Sequence, residues 1–526
     1  MVNNTTDILI VGAGPVGLTG ALIAHELGLS VRIVERRPTA QSAPAAHVIN
    51  ARTFEIWRQI GLDVEKIRSS AQSPEKAGLV HWVTRLGEKV LGTLQYEQQG
   101  DDNLSVTPTP LRNLSQHLLE PLLVSELKNR GIDVEYASTW DSFSESSDGI
   151  TSTVSKDGQS ENISSKWLIA CDGASSSVRN ACGISMVGPD NLQKFFTVHF
   201  KADLNSLTAS NPGILYWICD PRAGGTLISH GGDNEWVYMY PIAEDDEAQM
   251  SPSECDQLIR NAIVPTSATI TVLRQSSWTM TSQIADSYRL RRVLLAGDAA
   301  HRFPPSGGMG LNTGVGDIHN LMWKINRIEE GFADASLLDT YDKERRPIAE
   351  RNAQASMDNA FKMFDVFMAL GIDPDTEVAF ANLNRVLEDA EGMKVLDQAI
   401  QNQATHFDML GLQIGYRYIL PTTTTDLEPL TDEIIRNYRP SIEVGNRLPH
   451  GWLERNGEKI SSLDLVSLDD YLTIGGSDFS SDLPHIKIGR DVQDTENWWS
   501  QILGLSSNEG LLVRPDQHIE LRLSSI

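Results

Sequence analysis

The stretch DILIVGAGPVGLTGALIAHELGLSVRIVERR, near the start of the 526-residue chain, leaves little freedom in how the chain begins to fold. Ile8 to Val11 is a continuous β-prone run, suited to a strand buried on both faces of a parallel sheet. Gly12, Gly14 and Gly17 follow as GxGxxG, which permits a tight turn, close approach of backbone to a pyrophosphate and close packing of the next helix. A second strand ends on Glu35, 18 residues after Gly17, where a carboxylate accepts hydrogen bonds from ribose hydroxyls. Arg36 and Arg37 then either touch an adenosine phosphate or lie in solvent. Strand, glycines, helix, strand and acid in this order predict a Rossmann-like dinucleotide-binding unit, without distinguishing FAD from NAD.

Two later segments repeat the theme of a strand that delivers an acid. In KWLIACDGASSSVRNACGI, an apolar strand from Trp167 to Cys171 runs into Asp172 and Gly173, followed by Ser176 and Arg179. In RRVLLAGDAAHRFPPSGGMGLNTGVGDIHNLMWKI, a strand from Val293 to Ala296 delivers Gly297 and Asp298. Each acid sits at a strand's carboxyl end, where ligands bind in open parallel sheets. Between Asp298 and the helix expected from about Thr313, Pro305, Gly307, Gly308 and Gly310 exclude regular structure and leave the backbone bare to a ligand.

Composition narrows the partners. The formal charge of -26, from 70 acids against 44 bases, argues against nucleic acid or an anionic membrane surface. Four cysteines, with no CxxC and no histidines at zinc spacing, point to a reduced, cytoplasmic protein without a metal site. The first residues lack the basic region of a signal peptide, and no run approaches the roughly 18 apolar residues of a membrane span.

GxGxxG, DGxxSxxR and GDAAHxxPPxGGxGxNTG, in this order, resemble the single-component (class A) FAD-dependent aromatic monooxygenases of the p-hydroxybenzoate hydroxylase family. The similarity is greatest to the phenol and chlorophenol hydroxylase branch, and it extends to NARTFEIWRQIGL (50–62), LSQHLLEPLL (114–123) and LLDTYDKERRPIAERN (337–352). The resemblance implies that FAD is the cofactor, that Asp298 binds its ribitol, and that Pro305 lines the flavin. It further implies that the backbone amides of Gly310, Leu311 and Asn312 face the ring's pyrimidine edge, and that Gln116 contacts the ribitol or phosphate. Asp172, by the same likeness, supports FAD and the passage of the nicotinamide cofactor.

The reaction implied is reduction of FAD by NADPH or NADH, addition of O2 to form a flavin C4a-hydroperoxide, and hydroxylation of a small aromatic substrate. No second Rossmann signature is present, so NAD(P)H is expected to visit transiently. In phenol hydroxylase an aspartate five positions before the RT-E arginine assists phenol deprotonation; counting back from Arg52 gives His47. His47 is then either the base or substrate anchor, or a histidine that only packs against its surroundings. The same motifs accommodate Baeyer–Villiger insertion or epoxidation on a polyketide-type substrate, or a flavin oxidase or reductase.

The expected fold is α/β: a Rossmann-like FAD-binding domain (1–184 and 286–360) with an inserted β-rich substrate domain (185–285). A helical segment and linker (361–430) and a thioredoxin-like C-terminal domain (431–526) complete it. In the β-rich stretch Tyr216, Tyr238 and Tyr240 are candidates to bond a phenol, Tyr238 and Tyr240 sharing one strand face and Val237 and Met239 the other. Arg222 lies in a Pro-Gly turn, so an uncharged phenolic or quinonoid substrate is expected. PTTTTDLEP (421–429) is the linker candidate. The C-terminal unit has no cysteine for dithiol chemistry, which leaves it a structural or dimer-supporting role.

Overall fold

Val11, Ala170 and Leu295 stand in register across three parallel strands, Thr5–Val11, Gln159–Ala170 and Val293–Leu295. All three strands run the same way and end level, so Gly12, Asp172 and Asp298 leave the sheet along one edge. This is the computed structural model's main organising fact; it describes residues 5–231, 234–246, 249–423 and 427–524. Val31–Glu35 and Val134–Tyr136 extend the sheet in parallel on one side, and Arg289–Leu290 closes the other side antiparallel.

The helix Pro15–Glu26 that follows the first glycines is apolar nearly all round, because it lies between this sheet and the long helix Met309–Glu329. Leu18, Leu22 and Ile23 are fully buried there, each contributing about 1.5–3 kcal/mol relative to exposure.

The second layer is a seven-stranded sheet in the order Thr271–Met280, Gln193–Lys201, Glu235–Ile242, Gly225–Ser229, Leu215–Ile218, Leu79–Val83 and Val90–Gln95. Its last two strands come from the segment assigned by sequence to the first part of the FAD-binding domain. The β-rich block 185–285 therefore does not build its sheet alone. One face of this sheet is covered by the amphipathic helix Pro252–Ala262, with Cys255 and Ile259 packed among Phe196, Val198, Tyr216 and Tyr238. The other face looks toward the parallel sheet.

The helix Asp339–Ala369 crosses the expected boundary at 360 without interruption. Thr376–Glu388 and Ala390–Gln401 follow it as helices, and no helix among the described residues is long and apolar enough to cross a membrane. Of the linker candidate 421–429, Thr424 to Asp426 lie outside the described residues. The C-terminal unit holds a mixed sheet in the order His485–Lys487, Leu472–Gly475, Glu509–Val513 and Ile519–Ser524. The first pair is parallel and the others antiparallel, and between 440 and 524 there is no α-helix to layer over it.

Buried ions join this unit to the first. Arg447 pairs with Glu55 at 3.0 Å with both side chains fully buried, and Arg52 donates to Gln517 Oε1 (2.6 Å) and to the Asp516 carbonyl (2.8 Å). Arg514 makes two hydrogen bonds to Glu344, which also accepts from Lys324. Charges this deep need such partners, since a lone buried ion is far too costly.

Candidate active site

Between the two sheets lies a cavity of about 920 Å³ that takes in Gly12, Gly14, Glu35, Asp172, Asp298 and Pro305 on one side. The glycines explain how the backbone reaches it. Gly12 holds φ +103°, and a Cβ there would stand 2.2 Å from the Cys171 carbonyl; one at Gly17 would meet the Gly12 carbonyl at 2.0 Å. At Gly14 a Cβ would meet nothing within 4 Å, so this position opens on the cavity. Gly14 caps the helix Pro15–Glu26 without any side-chain hydrogen bond, which leaves the positive helix end to a bound anion.

Glu35 is buried and accepts from the Ala13 amide and the Arg37 amide, each at 2.8 Å, with the Arg37 guanidinium at 3.1 Å. Burial pushes its carboxyl up, yet these bonds from Arg37 and Ala13 hold it below the usual range. Arg37, which also reaches Glu120 (3.4 Å), is thus built into the cradle, while Arg36 is exposed along the cavity wall. Gln116 lines the cavity with its amide donating to Glu120 (2.7 Å).

Asp172 offers a buried Oδ1 without a hydrogen-bond partner among the described residues, while Oδ2 accepts from the Val178 amide (3.2 Å). Ser176 caps the short helix behind it, and Arg179 donates to the Ala299 and Ala174 carbonyls (3.1 Å each), tying this motif to the next. Asp298 is open to the cavity but enclosed by protein around it, and that enclosure raises its carboxyl pKa against the pull of His301 and Arg302. An orphaned carboxylate oxygen, an open acid and an uncapped helix end are the contacts that a ribityl-pyrophosphate chain supplies, so the residues present fit FAD.

The glycine-rich loop turns through Gly308, at φ +61°, into the helix Met309–Glu329. Gly310 and Leu311 line the cavity. Asn312 sits behind them, where its side chain accepts from the Asn50 amide (3.0 Å) and the Thr53 hydroxyl (2.8 Å) and donates to the Val48 and Gly308 carbonyls. It fastens the loop to the segment NARTF.

The seven-stranded sheet contributes Thr197, Leu215, Trp217, Val237, Met239 and Trp278 to the opposite wall. Tyr216 and Tyr238 are not on it. Both face the helix Pro252–Ala262, with their hydroxyls donating to the Asn211 and Ala223 carbonyls, and Tyr240 packs beside Tyr238. The alternation is as expected from sequence, and the cavity takes the opposite parity.

His47 lines the cavity and donates from Nδ1 to Asn113 Oδ1 (3.0 Å), an arrangement that leaves its Nε2 as the lone-pair nitrogen. Burial holds its pKa below 6.5, against the hydrogen bond to Asn113. Sequence reasoning missed Tyr96, His230, His406 and Phe407, which also line the cavity. Position alone marks them, since none belongs to a motif.

The FAD binding domain family matches residues 5–356. This chain belongs to that family. Proteins similar to it include the 2,4-dichlorophenol 6-monooxygenase of Delftia acidovorans, 28% identical over 98% of this chain and 94% of the relative. The 4-methyl-5-nitrocatechol 5-monooxygenase of a Burkholderia species is 30% identical over 98% and 93%. Among solved structures, the flavin-dependent monooxygenase PieE in complex with FAD and substrate superposes with a TM-score of 0.90 at 27% identity, covering 99% of this chain and 96% of that one. The FAD-binding-domain protein described here is a flavoprotein monooxygenase of the class A aromatic hydroxylase group.

Proposed function

We propose that this monooxygenase uses NAD(P)H and O2 to hydroxylate a phenolic or related uncharged aromatic compound. The observation that carries the reading is the cavity's asymmetry. Its charged side chains, Glu35, Arg36, Arg37, Asp172, Asp298 and Arg302, belong to the dinucleotide-binding unit. The wall made by the seven-stranded sheet presents, among the described residues, indole, aliphatic, thioether, threonine and imidazole groups with no carboxylate, lysine or arginine. Such a wall suits a flat, neutral ring.

In this reading Gly12, Gly14 and Gly17 shape the pyrophosphate cradle, Glu35 takes the ribose, and Gln116, Asp172 and Asp298 hold the ribityl chain. FAD, when bound, supplies the redox chemistry that takes electrons from NAD(P)H and activates O2. Pro305 and the amides of Gly310 and Leu311 border the ring, and the helix Met309–Glu329 directs its positive end there, which favours negative charge on the ring. His47, neutral at pH 7, takes the substrate's phenolic proton on Nε2 and makes the ring a better nucleophile. The indole and aliphatic wall keeps water from the reacting atoms.

NAD(P)H oxidation by the FAD-loaded protein, followed with peroxide release across a panel of phenols and polycyclic phenols, tests this. Stimulated oxidation with little peroxide is expected for a subset of the panel. Oxidation that no phenol stimulates contradicts the reading.

A further inference from the structure

Where the loop carrying His47 meets the seven-stranded sheet, two imidazoles stand edge to face: the rings of His47 and His230 are 5.5 Å apart at 89°. They come from different structural units and both line the cavity. His230 follows the strand Gly225–Ser229, and its amide donates to the Glu235 carbonyl (3.0 Å). Gln72 donates to the Ser229 carbonyl (2.9 Å), and its side chain packs so closely on Gly231 that a Cβ there would lie 2.7 Å from it. The backbone on both sides of the ring is therefore held; the ring is only 3% exposed, and its Nδ1 is buried with no hydrogen-bond partner among the described residues. A buried polar ring left so is costly unless something else supplies the partner.

Three imidazoles act electrostatically on His230: His47 from the dinucleotide-binding unit, His117 from the head of the helix Gln116–Asn129, and His199 from the strand Gln193–Lys201. Glu235 bridges the last two, at 3.2 Å from His117 and 3.1 Å from His199, and Lys201 lies 3.2 Å from Glu235. Burial first, and then these imidazoles, hold His230 well below 6.5. It stays neutral, with one N–H and one lone pair to offer.

We propose that His230 is the second contact of the substrate's reacting hydroxyl, donating an N–H to the oxygen from which His47 takes the proton. This rests on the phenol-hydroxylation reading above. The O–H bond breaks, the proton goes to His47 Nε2, and the oxygen keeps the electron pair as a phenolate. His47 becomes cationic at that moment; a neutral donor beside it stabilises the phenolate without repelling the new charge, which a second protonated imidazole would do.

The test is a titration of the FAD-loaded protein with p-nitrophenol, whose ionised form is coloured, across neutral pH. With His230→Leu the ratio of bound phenolate to bound phenol falls about tenfold at a given pH, a one-unit rise in the bound phenol's pKa. His230→Gln, which restores an N–H near the ring's tip, recovers most of it, and FAD binding is unchanged in both. If His230→Leu does not hold FAD, His230→Met, of similar reach and without a donor, takes its place. A donor-free variant that holds FAD and ionises p-nitrophenol as the parent does overturns the role of His230 and leaves the hydroxylase reading standing. Failure of the parent protein to bind p-nitrophenol or any phenol of the panel overturns both.

Discussion

His301 donates from Nε2 to Asp317 Oδ2 across 2.7 Å, and both side chains are fully removed from solvent. Arg345 donates to the other carboxylate oxygen (2.8 Å), and the Gly297 amide lies 3.2 Å from Oδ2. One buried carboxylate thus holds the turn that presents Asp298, the histidine after it, and an arginine of LLDTYDKERRPIAERN. Asp317→Ala leaves His301 and Arg345 without their anion, and a loss of about 3–5 kcal/mol is expected. Thermal unfolding with and without added FAD checks this; a variant as stable as the parent contradicts it.

The glycines of the first turn separate structure from binding. Gly17→Ala drives a Cβ to 2.0 Å from the Gly12 carbonyl and prevents the helix from seating, so little folded protein is expected. Gly14→Ala meets no protein atom within 4 Å and projects into the cavity. It is expected to fold with an unchanged unfolding midpoint while FAD binds at least about tenfold more weakly, or about 1.4 kcal/mol. Equal FAD affinity in Gly14→Ala and the parent would place the pyrophosphate elsewhere.

Acid sensitivity follows from Glu344. Burial raises its carboxyl, but Arg514 (2.7 Å) and Lys324 (2.8 Å) pull it down to about 2. A carboxylate held below its ordinary 4.5 contributes stability that is complete above that pH and is lost as pH falls toward 2. Arg514→Met removes one cation, so the variant is expected to be less stable at neutral pH and to lose less further stability in that window. Unfolding midpoints measured through acid pH test this; parallel profiles for the two proteins contradict it.

With His47 as the proposed base, its protonation is expected to set the acid limb of turnover. The neutral ring is the active form, and burial places its pKa below 6.5, so kcat/KM is expected to hold down to that pH and fall only beneath it. His47→Gln is expected to lower kcat by about 100-fold or more, with FAD affinity retained and the acid limb gone. Unchanged turnover in this variant removes His47 from the mechanism.

Much of this was legible in the chain. The three motifs were readable because each needs a fixed backbone path, and glycine, aspartate and serine at those spacings serve few other purposes. Whether Arg36 and Arg37 meet a ligand or solvent was not, because both follow the same acid, and it is the pairing of Arg37 with Glu35 and with Glu120, far along the chain, that draws it inward while Arg36 stays exposed. Tyr216 and Tyr238 were misplaced for a related reason: alternation says which residues share a face, but both faces of this sheet are covered, one by the helix Pro252–Ala262 and one by the cavity. His230 carried no local signal, since what singles it out is its closeness to His47, a residue 183 positions earlier. The strands at 79–95 form a local hairpin, and what local sequence does not reveal is that Leu79–Val83 joins the sheet through Leu215–Ile218, more than 100 residues along the chain.

The most direct measurement is turnover of a stimulating phenol under 18O2, with product mass, NAD(P)H consumed and peroxide released followed together. One 18O in the product for each NAD(P)H oxidised, with little peroxide, is the result expected. Oxidation that ends in peroxide with an unlabelled or unchanged aromatic compound would make the protein an oxidase toward that compound and contradict the hydroxylase account.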